Sequence, residues 1–181
     1  APLYSSVWVT AFTMEEHIAA AGLEVKVARH YWKLTPKEKK VNVASSAGNP
    51  LQQRVEAYDR TEIKDGDTVR SGDMIEAELI AESKNDYEYL LIEDMKPAGF
   101  ETVNVRSGYV GDTLNSYLEL HDERASFFLR ELPVGKHSLT YRLRAEVPGS
   151  FHALPAKVSA MYSPELRGNS DELQVKVEEK R

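Results

Sequence analysis

The chain has 181 residues, 41% of them apolar and 29% charged, with a net charge of −6 and no cysteine. That length carries one well-buried core or two small domains, and no apolar run approaches the ~20 residues that a membrane-spanning helix needs. The negative charge argues against nucleic acid as a partner, because phosphate binding needs clustered Lys and Arg, and the lack of cysteine removes disulfides, thiolate metal sites and a cysteine nucleophile.

The opening stretch "APLYSSVWVTAF" has no basic region ahead of an apolar core, so it does not read as a signal peptide. Tyr4 to Phe12 reads as a strand, and a chain beginning in mid-strand reads as an excised or processed piece of something longer. In Thr13 to Gly22, Thr13 and Glu16 have capping-box spacing and Gly22 stands where a helix stops, which predicts a helical turn or loop. Leu23, Val25 and Val27 then alternate with Glu24 and Lys26, the period of a strand with one buried face. The aromatic group at Arg29 to Leu34 reads as the closure of a core end. The competing reading makes Tyr31 and Trp32 a sugar or partner platform. From Thr35 to Pro50 the chain is polar and irregular, as a linker or long loop would be, with the basic run Lys37, Lys39 and Lys40 as solvated loop. Leu51 to Arg60 has no clean alternation and carries no assignment.

Asp65-Gly66-Asp67 reads as a turn into the next strand. A calcium loop would need a ligand where Val69 stands and Gly where Arg70 stands. Strand alternation returns in Ile75, Ala77, Leu79 and Ala81 against Glu76, Glu78 and Glu82, and continues in Tyr87 to Asp94, Ser116 to His121 and Ala125 to Leu129. His121 to Arg124 lies between the last two as a hairpin tip. Leu139, Tyr141, Leu143, Ala145 and Val147 face one side and Thr140, Arg142, Arg144 and Glu146 the other. Ala156 to Tyr162 and Leu173 to Val177 complete the strands, and Gly and Pro turns at Ser71-Gly72, Pro97 to Gly99, Pro133 to Gly135 and Pro148-Gly149 separate them. Many short strands with regular turns predict an all-β, immunoglobulin-like antiparallel sandwich. Residues 1–181 read as a single such domain, with 1–20 open to a second assignment as the end of a preceding domain and 1–50 open as to membership.

No chemistry-bearing motif emerges. The five histidines, His17, His30, His121, His137 and His152, have no pair at the i, i+4 spacing of a helical zinc site, and there is no Gly-rich phosphate loop or Gly-x-Ser-x-Gly elbow. The expectation is a non-enzyme without catalytic residues, metal or cofactor. One element asks for more: "MYSPELRG", Met161 to Gly168, is elaborate for a connector. Strand parity makes Tyr162 the last inward residue after Val158 and Ala160, with Pro164 stopping the strand.

The order of "YLLIEDMKPAGFE" and "YLELHDERASFFLRELPVGKHSLTYRLRAEVPGSFHALPAKVSAMYSPELRG" resembles the C-terminal domain of bacterial alpha-2-macroglobulins. The matching elements are Asp94, Pro97 to Gly99, the hairpin at Asp122 to Arg124, Leu132-Pro133 with Gly135, the strand through Tyr141 and Arg144, Pro148-Gly149, Pro155-Ala156 and the turn at Tyr162 to Glu165. The resemblance covers roughly Leu79 to Gly168, and the segment leading into Leu34 is similar as well. It implies a large periplasmic or cell-surface parent, membrane-anchored through another part, that entraps proteases. Cleavage of a bait region would expose a thioester built from Cys and Gln in a neighbouring domain of the same polypeptide. By resemblance Tyr162, flanked by Met161 and Pro164, shields that thioester from water. This chain's partners are then its neighbouring domains and, through the parent, target proteases, with no membrane insertion of its own. The competing class is a generic cell-surface immunoglobulin-like binding or adhesion module.

Overall fold

A computed structural model describes residues 17–44, 50–104 and 106–180, with the side chains of 38–56 outside that description. The described chain is all β. Its strands in order are β1 (Ala21–Gly22), β2 (Val25–Ala44), β3 (Pro50–Ile63), β4 (Thr68–Arg70), β5 (Met74–Ser83), β6 (Tyr87–Met95), β7 (Phe100–Thr102) and β8 (Gly108–Tyr109). There follow β9 (Tyr117–Leu120), β10 (Arg124–Leu132), β11 (Gly135–Ala145), β12 (Gly149–Ala153), β13 (Lys157–Ala160), β14 (Ser163–Asn169) and β15 (Leu173–Glu178). They form a seven-stranded sheet, β1-β14-β13-β6-β10-β9-β8, a five-stranded sheet, β3-β2-β5-β11-β7, and a small sheet, β12-β15-β4. All pairings are antiparallel except β15 with β4.

The two larger sheets bury one continuous core, as the sandwich expectation requires. Ile75, Ala77, Leu79 and Ala81 from β5 and Leu139, Tyr141, Leu143 and Ala145 from β11 meet Leu90 and Ile92 from β6 and Phe127 and Leu129 from β10. The small sheet adds Val69, Ala153, Val175 and Val177 to the same cluster. The alternation in the sequence is this burial: β5 runs half-buried and buried by turns along nearly its whole length.

A buried polar knot pins the sheets together. Arg29 on β2 bonds Asp94 on β6 at 2.7 Å and donates to the carbonyls of Ala153 and Leu154. Tyr141 on β11 donates its hydroxyl to the other Asp94 oxygen at 2.7 Å. Both members of the ion pair have almost no exposed side chain, so the carboxylate survives burial only because each oxygen is bonded. Gly99 is required by close approach: a Cβ there would stand 2.2 Å from the Phe151 ring. At Gly168 a Cβ would stand 2.6 Å from the Val25 carbonyl oxygen.

Several expectations are corrected. The helical reading of Thr13 to Gly22 fails over its described part, where 17–20 are irregular and Ala21–Gly22 pair with Gly168 and Asn169. Thr13 to Glu16 and the strand at Tyr4 to Phe12 lie outside the described residues. Thr35 to Pro50 is not simply loop, because β2 runs on to Ala44 and pairs with β3 along Tyr31 to Ala44, so the basic run and the unassigned Leu51 to Arg60 are both strand. β5 covers β2 only as far as Leu34. Beyond it the pairing recorded for β2 is with β3 alone, Thr35, Pro36 and Lys37 are exposed, and Pro36 is tolerated because one edge of β2 carries no ladder there. Leu23 and Val147, expected inward, are exposed because the pairing of β2 and β11 stops short of them. The turns hold: Asp67 N–H closes on the Lys64 carbonyl, with Gly66 at φ 79°, and His121 N–H closes on the Arg124 carbonyl.

Candidate functional site

Strand β13 sends Val158 and Ala160 into the core and leaves Lys157 and Ser159 on the outer side. One more step of parity would send Tyr162 inward. Instead Ala160 pairs with Ser163, so Met161 and Tyr162 are the two central residues of a tight hairpin, and Tyr162 is 80% exposed. The reading of Tyr162 as an inward strand end is therefore wrong, and the physical reason is that the chain reverses one residue before it. Pro164 does not stop a strand either. It lies in β14, at a register shift that jumps from Ser163 opposite Ala160 to Arg167 opposite Ser159. Pro164 to Leu166 bulge out of the ladder there, so the missing N–H costs no sheet hydrogen bond. Neither Met161 nor Tyr162 has positive φ, so the turn is not of the primed types that match strand twist, and the irregular ladder beside it takes up the difference.

The Tyr162 ring meets one aromatic partner that the sequence reading missed. Tyr89 on β6 packs edge-to-face against it, with centroids 5.5 Å apart and planes at 82°. Tyr89 has φ 56° within a strand, and Glu88 and Tyr89 are both exposed in succession. The ladders on both sides break at this point: Leu90 pairs Leu129 and Glu88 pairs Glu131, while β13 pairs β6 only from Leu90 onward. Past that end the Met161 N–H reaches the Tyr89 carbonyl at 2.8 Å. Met161 itself is 39% exposed.

Beside this pair the outer face of the seven-stranded sheet carries an apolar row. Leu91, Phe128, Tyr117 and Tyr109 stand opposite one another on four successive strands. The first three are half-buried and Tyr109 is exposed, its ring edge-on to Tyr117 at 5.2 Å. Phe127-Phe128 was the visible signal, since two successive aromatics in a strand must serve both faces.

Other candidates disperse. Tyr31 is buried in the core, and Trp32 on the opposite face donates to Glu78 beneath the Arg60 guanidinium, 4.6 Å from its ring. The two cannot share a ligand face, which is the correction to the platform reading. His30 pairs with Glu62, His121 with Glu119 and His152 with Glu172, while His137 contacts the Pro133 carbonyl. Among the described residues no three His, Asp or Glu side chains gather where they could hold a metal.

The family model described as "Bacterial Alpha-2-macroglobulin MG10 domain" matches residues 25–165. An alpha-2-macroglobulin homolog of Nostoc is 30% identical over 101 residues, which are 51% of this chain and 5% of the relative. The structure of Salmonella alpha-2-macroglobulin reacted with methylamine shares the fold at TM-score 0.59 and 20% identity, over 88% of this chain and 10% of that one. Escherichia coli alpha-2-macroglobulin activated by porcine elastase does so at TM-score 0.59 and 21% identity, over 88% and 14%. The chain thus spans a twentieth to a seventh of these relatives' lengths.

Proposed function

Since the chain belongs to the bacterial alpha-2-macroglobulin MG10 domain family, we propose that it is a non-catalytic domain that docks on a neighbouring domain of its own polypeptide and shields a thioester there. The observation that carries this reading is the exposed Tyr162 ring on a tight hairpin, held from one side by Tyr89 and free on the other. A thioester is an energetic acyl donor that lasts only where water and amines are kept away. A ring borne by a separate domain excludes them and leaves when that domain moves. With no cysteine, this chain holds no thioester of its own, so it acts on one elsewhere in the parent. The relative activated by elastase supports proteases as the parent's targets, and a periplasmic or cell-surface location goes with that role.

Methylamine tests the reading on the full-length parent. Its nitrogen attacks the thioester carbonyl, the C–S bond breaks, and the departing sulfur takes up the amine's proton, leaving an amide and a free thiol. Tyr162→Gly is expected to speed thiol release strongly over wild type. Equal rates would remove the shielding role while leaving the thioester, and no thiol from either form would remove the thioester itself.

A further inference from the structure

We propose that Tyr89 is the positioning residue of the Tyr162 shield: it selects one orientation of that ring and so sets how well the thioester is covered. The proposal rests on the shielding role of Tyr162.

A bulky residue at φ 56° within a strand is a genuine outlier, because its Cβ crowds its own backbone. Asn115, the other non-glycine residue at positive φ among those described, is of a type that tolerates this conformation and sits in a loop. Tyr89 is not such a type, and glycine would occupy its position without strain. The strained backbone has a definite place: Tyr89 keeps the outward parity of Leu91 and Glu93, which sets its ring on the outer surface beside the hairpin, and the alternation of β6 breaks at the next residue, where Glu88 is exposed and Tyr87 packs on the core.

Two attachments then act on the hairpin tip. The Tyr89 carbonyl accepts the Met161 N–H at 2.8 Å, which holds the backbone of the turn, and the Tyr89 ring meets Tyr162 edge-to-face, a favoured aromatic geometry. Nothing else among the described residues is in hydrogen-bonding or ring contact with the Tyr162 side chain. A side chain 80% exposed on a two-residue turn would otherwise spread over its staggered rotamers. Tyr89 narrows that spread before any neighbouring domain is engaged, which lowers the ordering cost of docking.

Two readouts test this. In the chain described here, 3-fluorotyrosine placed at position 162 reports its surroundings by fluorine NMR. Tyr89→Gly is expected to move and narrow that resonance toward the value of a free side chain, while Tyr89→Phe, which keeps the ring, leaves it near wild type. In the full-length parent, Tyr89→Gly should raise the methylamine-driven thiol release by about two- to ten-fold, the equivalent in rate of one aromatic pair. It should add nothing on a Tyr162→Gly background. An unchanged fluorine resonance in Tyr89→Gly would overturn the positioning role whatever the parent contains. A changed resonance with thiol release accelerated by Tyr162→Gly but not by Tyr89→Gly would overturn its part in shielding. If Tyr162→Gly itself has no effect, the shielding reading fails and the fluorine result alone decides whether Tyr89 orients the ring. Because glycine relieves the backbone strain, Tyr89→Gly should keep its urea midpoint, which separates lost positioning from lost fold.

Discussion

Strand β6 has two ends with opposite duties. At Asp94 the side chain is sealed between Arg29 and Tyr141 with every oxygen bonded, whereas at Tyr89 the ladder to β10 is interrupted and that to β13 has stopped, the backbone is strained and the side chain faces outward to Tyr162. The difference teaches how a sandwich can offer a surface group at a fixed place: one end of the strand is clamped by the core, so the other can bear strain without unfolding the sheet.

The sharpest way to break this comparison is at the clamped end. Asp94→Ala leaves the Arg29 charge buried without its partner and is expected to cost about 3–5 kcal/mol, read as a fall in urea midpoint. Gly99→Ala drives a methyl group into the Phe151 ring and is expected to cost about 1–3 kcal/mol, partly restored by adding Phe151→Val. Smaller again is an alkaline effect. Burial first, then the Asp94 carboxylate, raises the Tyr141 hydroxyl well above the ordinary tyrosine value, and burial raises Tyr31 against the pull of Arg29. The unfolded chain releases these protons near pH 10 while the folded chain keeps them. Stability is thus full below about pH 10 and declines above it, by up to about 1.4 kcal/mol per pH unit for each tyrosine. Urea titrations at pH 9, 10 and 11 should show the decline, with a shallower slope in Tyr141→Phe. Least of all, Tyr162→Gly should change stability by no more than about 1 kcal/mol, the scale of the one aromatic pair that this exposed side chain makes. A loss from Tyr162→Gly comparable with that from Asp94→Ala would erase the division of duties along β6.

Much of the fold was legible because burial writes itself as period two. Ile75 to Ala81 and Leu139 to Ala145 read as strands and are the two facing each other in the centre of the five-stranded sheet. The outer half of β2 was illegible for the same reason, since period two marks only a strand with one buried face and Thr35 to Lys37, where that half begins, are all exposed. Of the site, Met161 and Tyr162 were picked out by resemblance to the family, yet parity gave Tyr162 the wrong side. Alternation predicts direction only while the strand continues, and here it ends at Ala160. Tyr89 carried no signal, because its importance comes from a φ that composition does not encode.

The all-β class, most of the inward faces and most of the turns follow from the sequence, because they rest on local periodicity and on the few residues that permit tight reversal; Leu23, Val147 and Tyr162 escape because the strands stop short of them. The tertiary structure alone decided which strands are neighbours. It brought Arg29 to Asp94 across 65 positions and set Tyr89 beside Tyr162. Such meetings depend on sheet order and register, which arise from the packing of the whole core and leave no mark on any short stretch of chain.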